Sequence, residues 1–169
     1  MAARLGADVE RGFIAAYYQY VQGCKVSVDH PLFGPNHDPY VVVAHRPGML
    51  YGMSFSTAYQ CDTQSRPETL VRRVRRRVEG LQAYAGFLAR QEGGPYQVLY
   101  EVWCFIPATD RVIRPVRKAA LEGLPVQLVH LEEVQARLRE TVLSLPEADA
   151  RAEEKNAFVW AGRLIREAF

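Results

Sequence analysis

Residues 38–59 read Asp-Pro-Tyr-Val-Val-Val-Ala-His-Arg-Pro-Gly-Met-Leu-Tyr-Gly-Met-Ser-Phe-Ser-Thr-Ala-Tyr. Tyr40 to His45 is an apolar run with three valines, the length and side-chain type of a strand covered on both faces. Arg46-Pro47-Gly48 is a turn signal, and Met49 to Tyr59 resumes as a second strand. The stretch is expected to form a β-hairpin.

Upstream, Val9, Phe13, Tyr17 and Val21 recur at four-residue steps, so residues 8–22 are expected to form a helix with one buried face. Residues 25–29 alternate as a strand, and residues 30–39 form a loop rich in Pro, Gly, Asn and His. Downstream, Ser65-Arg66-Pro67-Glu68 fits a capping box with Pro in the first turn. Leu70, Val71, Val74, Val78, Leu81, Ala85 and Leu88 then make an apolar stripe that ends at Gly93-Gly94. A strand is expected over 97–106, a short one over 111–114 and another over 126–129. Helices are expected over 116–122 and 132–143, and Ser144-Leu145-Pro146-Glu147 opens a last helix that reaches Phe169. This order predicts an α/β class with a mixed central sheet flanked by helices. Residues 1–145 make the domain, and residues 146–169 add a C-terminal helix that packs on it or on a partner.

The chain has 169 residues, 49% of them hydrophobic and 24% charged, which excludes disorder, a collagen-like fibre and a disulfide-stapled miniprotein. The three cysteines include no CxxC pair, and no apolar run is long enough to span a bilayer. A cytoplasmic protein with no membrane partner is expected. The net charge is only +2, but Arg supplies 18 of the 21 basic residues. Five of these fall between positions 72 and 77: Arg72, Arg73, Arg75, Arg76 and Arg77. Like charges at i, i+4 repel, so the cluster suits an anionic ligand such as a phosphate backbone. It equally suits a solvated helix face.

The order of elements resembles that of the PD-(D/E)XK, or restriction-endonuclease-like, nuclease superfamily over roughly residues 6–140. Members carry a Glu on the first helix, matched by Glu10, and an Asp where the hairpin opens, matched by Asp38. Several branches carry a Gln on the following helix, where Gln82 stands. The hairpin's second strand should carry (D/E)-x-K, and here it reads Ser54-Phe55-Ser56. The resemblance implies Mg²⁺ or Mn²⁺ held by the acidic residues, with Glu10 and Asp38 as the surviving metal ligands. Two serines supply neither the carboxylate that a hard cation needs nor the lysine. A nuclease-like fold with a degraded metal site is therefore expected, binding DNA more readily than RNA through the Arg72–Arg77 helix. Two alternatives remain: an active metal-dependent nuclease whose acid has migrated to Glu68 or Glu79, and a protein-interaction module. The apolar side of the C-terminal helix, with Phe158, Ala161, Ile165 and Phe169, makes a homodimer a further expectation.

Other patterns are weaker. Asp29-His30 and His37-Asp38 bracket a loop where turn chemistry explains them as well as a metal does. His45 with Ser54 or Ser56 lacks the G-x-S-x-G frame of a hydrolase. On the first helix, Tyr17 suits the core and leaves Tyr18 or Tyr20 as a contact residue.

Overall fold

The computed structural model describes residues 7–28, 42–56 and 66–145. Helix α1, Ala7–Ala16, runs directly into a π-helical turn, Tyr17–Val21, closed by the Gln22 N–H donating to the Tyr17 carbonyl at 3.2 Å. Strands β1 (Lys25–Val28), β2 (Val42–Arg46) and β3 (Met49–Phe55) follow, then α2 (Pro67–Glu92) and β4 (Gln97–Trp103). Helix α3 (Asp110–Leu121), β5 (Val126–Val129) and α4 (Leu131–Ser144) complete the described fold.

The five strands lie in sequence order, β1-β2-β3-β4-β5. β2 is antiparallel to both neighbours, whereas β3, β4 and β5 are parallel. A tight Pro47-Gly48 turn suffices for the hairpin, with Gly48 at a φ of 85° that favours glycine. The parallel pairs need crossovers, and α2 and α3 supply them.

The hairpin residues are buried on both faces, as their continuous apolar pattern requires. Val42, Ala44, Tyr51, Met53, Phe55 and Trp103 pack under α1, the π turn and α4. Val43, Leu50, Tyr100 and Val102 pack under α2 and α3. The result is a three-layer α/β/α arrangement around a mixed sheet. All seven residues of the α2 stripe are buried, and Gly93 and Gly94 end the helix at φ values of 79° and 84°. Gly52 sits where α2 comes closest: a Cβ placed there would lie 2.6 Å from Leu81 Cδ1.

Three local expectations differ from the structure. Residues 111–114 begin α3 rather than form a strand, because Val112, Pro115, Val116 and Ala119 share one buried helical face. The adjacent Val112-Ile113 pair imitates a strand only over two residues. The residue capping α2 is Arg66, which makes no side-chain cap bond, so a box built on Ser65 and Glu68 starts one residue too early. Strand β4 ends at Trp103, and Cys104 then donates its N–H to the Val129 carbonyl at 2.9 Å. The loop 30–39, both Asp/His pairs, Asp38, Cys61 and the C-terminal helix over 146–169 lie outside the described residues.

Candidate nucleic-acid interface

Successive residues of a helix are turned by about 100°, so five arginines within six positions cannot share one face. The apolar stripe fixes which way α2 faces the sheet and thereby divides the cluster. Arg72 and Arg76, one turn apart, point away from the core and are exposed. Arg75 lies on the flank beside α3 and pairs with Glu122, just past the end of that helix, at 2.5 Å. Arg77 lies on the other flank and donates to the Tyr100 hydroxyl at 2.8 Å. Arg73 is half-buried, and Gln82 is exposed.

Helix α3 lies beside α2 in the same layer. Its outer surface carries Arg111, Arg114, Arg117 and Lys118, of which Arg114 pairs with Asp110 at 3.3 Å. Together α2 and α3 hold Arg72, Arg73, Arg75, Arg76, Arg77, Arg90, Arg111, Arg114, Arg117 and Lys118 against Glu68, Glu79, Glu92 and Asp110. The opposite layer, α1 and α4, holds Arg11, Arg137 and Arg139 against Glu10, Glu132, Glu133 and Glu140. Among the described helices of a chain whose net charge is only +2, the positive charge is thus concentrated on one side of the sheet. The first turns of α2 and α3 meet at a shallow groove of about 180 Å³ lined by Pro67, Leu70, Asp110, Arg111, Arg114 and Pro115. Two helix N-termini add positive potential there.

Among the described residues, the positions carried over from the nuclease resemblance do not converge. Glu10 is 2% exposed on α1, in line with Phe13, Ile14 and Tyr17, and therefore in the α1 layer. Ser54 alternates with Met53 and Phe55 and so faces α2 instead, sharing a hydrogen bond with the Tyr100 hydroxyl. Ser56 is buried at the end of the same strand and hydrogen-bonds Cys104, whose thiol burial pushes up to about 11. Neutral hydroxyls already engaged inside the α2 layer do not fit a divalent cation. Among the described residues no group of three His, Cys, Asp or Glu side chains is placed to hold a metal. His45 does not reach the serines: its Nε2 lies 3.4 Å from Glu92 Oε1, and His45 pairs with Leu50 at the far end of the hairpin.

A buried polar centre under α4 escaped the sequence reading. Glu101, in the middle of β4 and 1% exposed, accepts from the Tyr18 hydroxyl and from Gln127 Nε2 at 2.5 Å. Arg137 reaches both of its oxygens at 3.4 and 3.3 Å and pairs with Glu133 at 2.6 Å. The same guanidinium sits 4.8 Å from the Trp103 ring centroid and 4.9 Å from that of Tyr17. Burial alone would lower the Arg137 pKa, but Glu101, with Tyr17 and Glu133, outweighs it and holds it above its ordinary value. Burial also raises Tyr17, against the pull of Arg137. Of Tyr18 and Tyr20, either expected as a contact residue, Tyr18 is instead a core residue (2% exposed) and Tyr20 is half-buried. The π turn lets the adjacent Tyr17 and Tyr18 both reach this centre. A lone Glu within Val-Leu-Tyr-Glu-Val-Trp was the available signal, since a carboxylate in an apolar strand needs buried donors.

No helix among the described residues is long and apolar enough to cross a membrane. No family model matches the chain, and comparison with curated proteins and with solved structures found no match.

Proposed function

We propose that this chain binds the backbone of nucleic acid, DNA before RNA, through the outer surface of α2 and α3, on a restriction-endonuclease-like scaffold that has lost its metal chemistry. The observation that carries the reading is the segregation of basic side chains onto the α2/α3 layer. Arg72, Arg76, Arg117 and Lys118 are exposed there with no ion pair among the described residues. Charge of this kind contacts phosphates and positions the protein without reading sequence. The scaffold reading rests on the order helix, three antiparallel strands, helix, parallel strand, and the loss of chemistry rests on Ser54 and Ser56. A cytoplasmic setting agrees with the unpaired thiols of Cys24 and Cys104.

The test is a gel assay with labelled single-stranded, duplex and branched DNA at low and moderate salt, with EDTA or Mn²⁺. The expected result is a salt-sensitive complex and intact DNA under both conditions. Cleavage that needs Mn²⁺ and disappears in Asp38→Ala would contradict the loss of chemistry. Absence of any complex would contradict nucleic-acid binding and favour a protein-interaction module.

A further inference from the structure

The outer face of α2 changes character along its length. Arg72, Arg76, Ala83, Phe87 and Arg90 follow one another at steps of four, seven, four and three residues, which places them on one stripe. The first half of the stripe is cationic. In the second half the small residues Ala83 and Gly86 lie beside Phe87, which is 47% exposed. Phe87 stacks on Tyr84 with ring centroids 6.0 Å apart and planes only 14° from parallel. Arg90 folds back toward Gly86, since a Cβ added there would meet its Nη1 at 3.7 Å.

A large aromatic ring kept half in water costs free energy unless something covers it. The ring lies nearly parallel to Tyr84 and is half-exposed, so a further flat group can stack on it. Cations and an exposed aromatic ring along one helix face suit an unpaired strand, whose base stacks on the ring while its phosphates are met by charge. Fifteen residues separate Arg72 from Phe87, about 22 Å along a helix, long enough for several nucleotides. Bases inside a duplex stack on each other and offer their faces to no side chain. Only an unpaired strand can use both halves of the stripe.

We infer that α2 binds single-stranded nucleic acid along this stripe, with phosphates at Arg72 and Arg76 and an unpaired base stacked on Phe87. The inference rests on the nucleic-acid reading above and names the form of the substrate. The two fail separately in fluorescence anisotropy of the full chain with a labelled oligothymidine and a duplex of equal length. The wild type is expected to bind the single strand more tightly than the duplex. Phe87→Ala should weaken single-strand binding roughly 5- to 150-fold, the range of one lost base stack. Duplex affinity and the salt slope should stay as they were, and Phe87→Trp should restore binding with its emission quenched by the oligonucleotide. Duplex binding with single-strand affinity unaffected by Phe87→Ala would overturn this inference and leave the backbone reading standing. Binding to neither form would overturn both. Self-association that Phe87→Ala relieves, with single-strand affinity unchanged, would assign the ring to a second copy of the chain and overturn the inference.

Discussion

Arg137 crosses from α4 to Glu101 in the middle of β4, its two terminal nitrogens lying 3.4 and 3.3 Å from the two carboxylate oxygens. Only 11% of the arginine side chain and 1% of the glutamate side chain remain exposed. Charges removed from water this far depend on each other, because either alone would be a buried, uncompensated ion. The pair therefore fixes where α4 and the π turn sit on the sheet.

Arg137→Met or Glu101→Leu alone should destabilise the fold by about 3–5 kcal/mol, the usual cost of breaking a buried pair. The double variant should be more stable than the sum of the singles implies, with a coupling of about 1–3 kcal/mol in urea unfolding. Additive losses would mean that the two side chains act independently.

Gly52 is required by the approach of α2 rather than by its backbone conformation. Gly52→Ala should cost about 1–3 kcal/mol through overpacking against Leu81. Combining it with Leu81→Val should cost less than the two single losses added, read as a shift in the denaturation midpoint. A Gly52→Ala variant as stable as wild type would show that Leu81 moves aside freely.

Burial holds the Cys104 thiol at about 11, with the Ser56 hydrogen bond pulling the other way. A folded-state value above the ordinary 9.0 contributes stability that is complete below pH 9 and lost as pH rises toward 11. At pH 8 iodoacetamide should label Cys104 only in urea, as read by peptide mass spectrometry. Rapid labelling of the native protein would contradict the burial.

Glu92 gathers Tyr96, His45 and Lys25 where the end of α2 meets β1 and β2, with the Tyr96 hydroxyl donating at 2.8 Å. That hydrogen bond, followed by the charges of His45 and Lys25, holds the Glu92 carboxyl below its usual 4.5. A lowered acid stabilises the fold above its unfolded value, and this contribution is lost as pH falls through the folded one. Tyr96→Phe should raise the Glu92 titration midpoint seen by NMR, and an unmoved midpoint would remove Tyr96 as the cause.

The parts of the fold that were legible from sequence are those where one pattern covers a whole element. The three-valine run of the hairpin and the seven-residue stripe of α2 each set a face without competition. The start of α3 was misread because Val112 and Ile113 are β-branched neighbours, while the helical spacing of the buried set becomes visible only through Pro115 and Ala119. The arginine cluster was visible, but its division was not. Whether Arg75 meets Glu79 or Glu122 depends on where α3 packs, 47 residues away in sequence. Glu101 was hidden for the same reason, since its donors Tyr18, Gln127 and Arg137 come from three other elements.

The proposed function requires that the α2/α3 layer, and not the α1/α4 layer, meets the phosphate backbone. Its most direct test is the slope of log affinity against log salt for duplex DNA, compared between Arg72→Ala/Arg76→Ala and Arg139→Ala on the exposed face of α4. Each lost phosphate contact should flatten the slope by about 0.9, so the double variant should lose about 2 units and Arg139→Ala none. An unchanged slope in the double variant, or an equal loss per charge in Arg139→Ala, would contradict the claim.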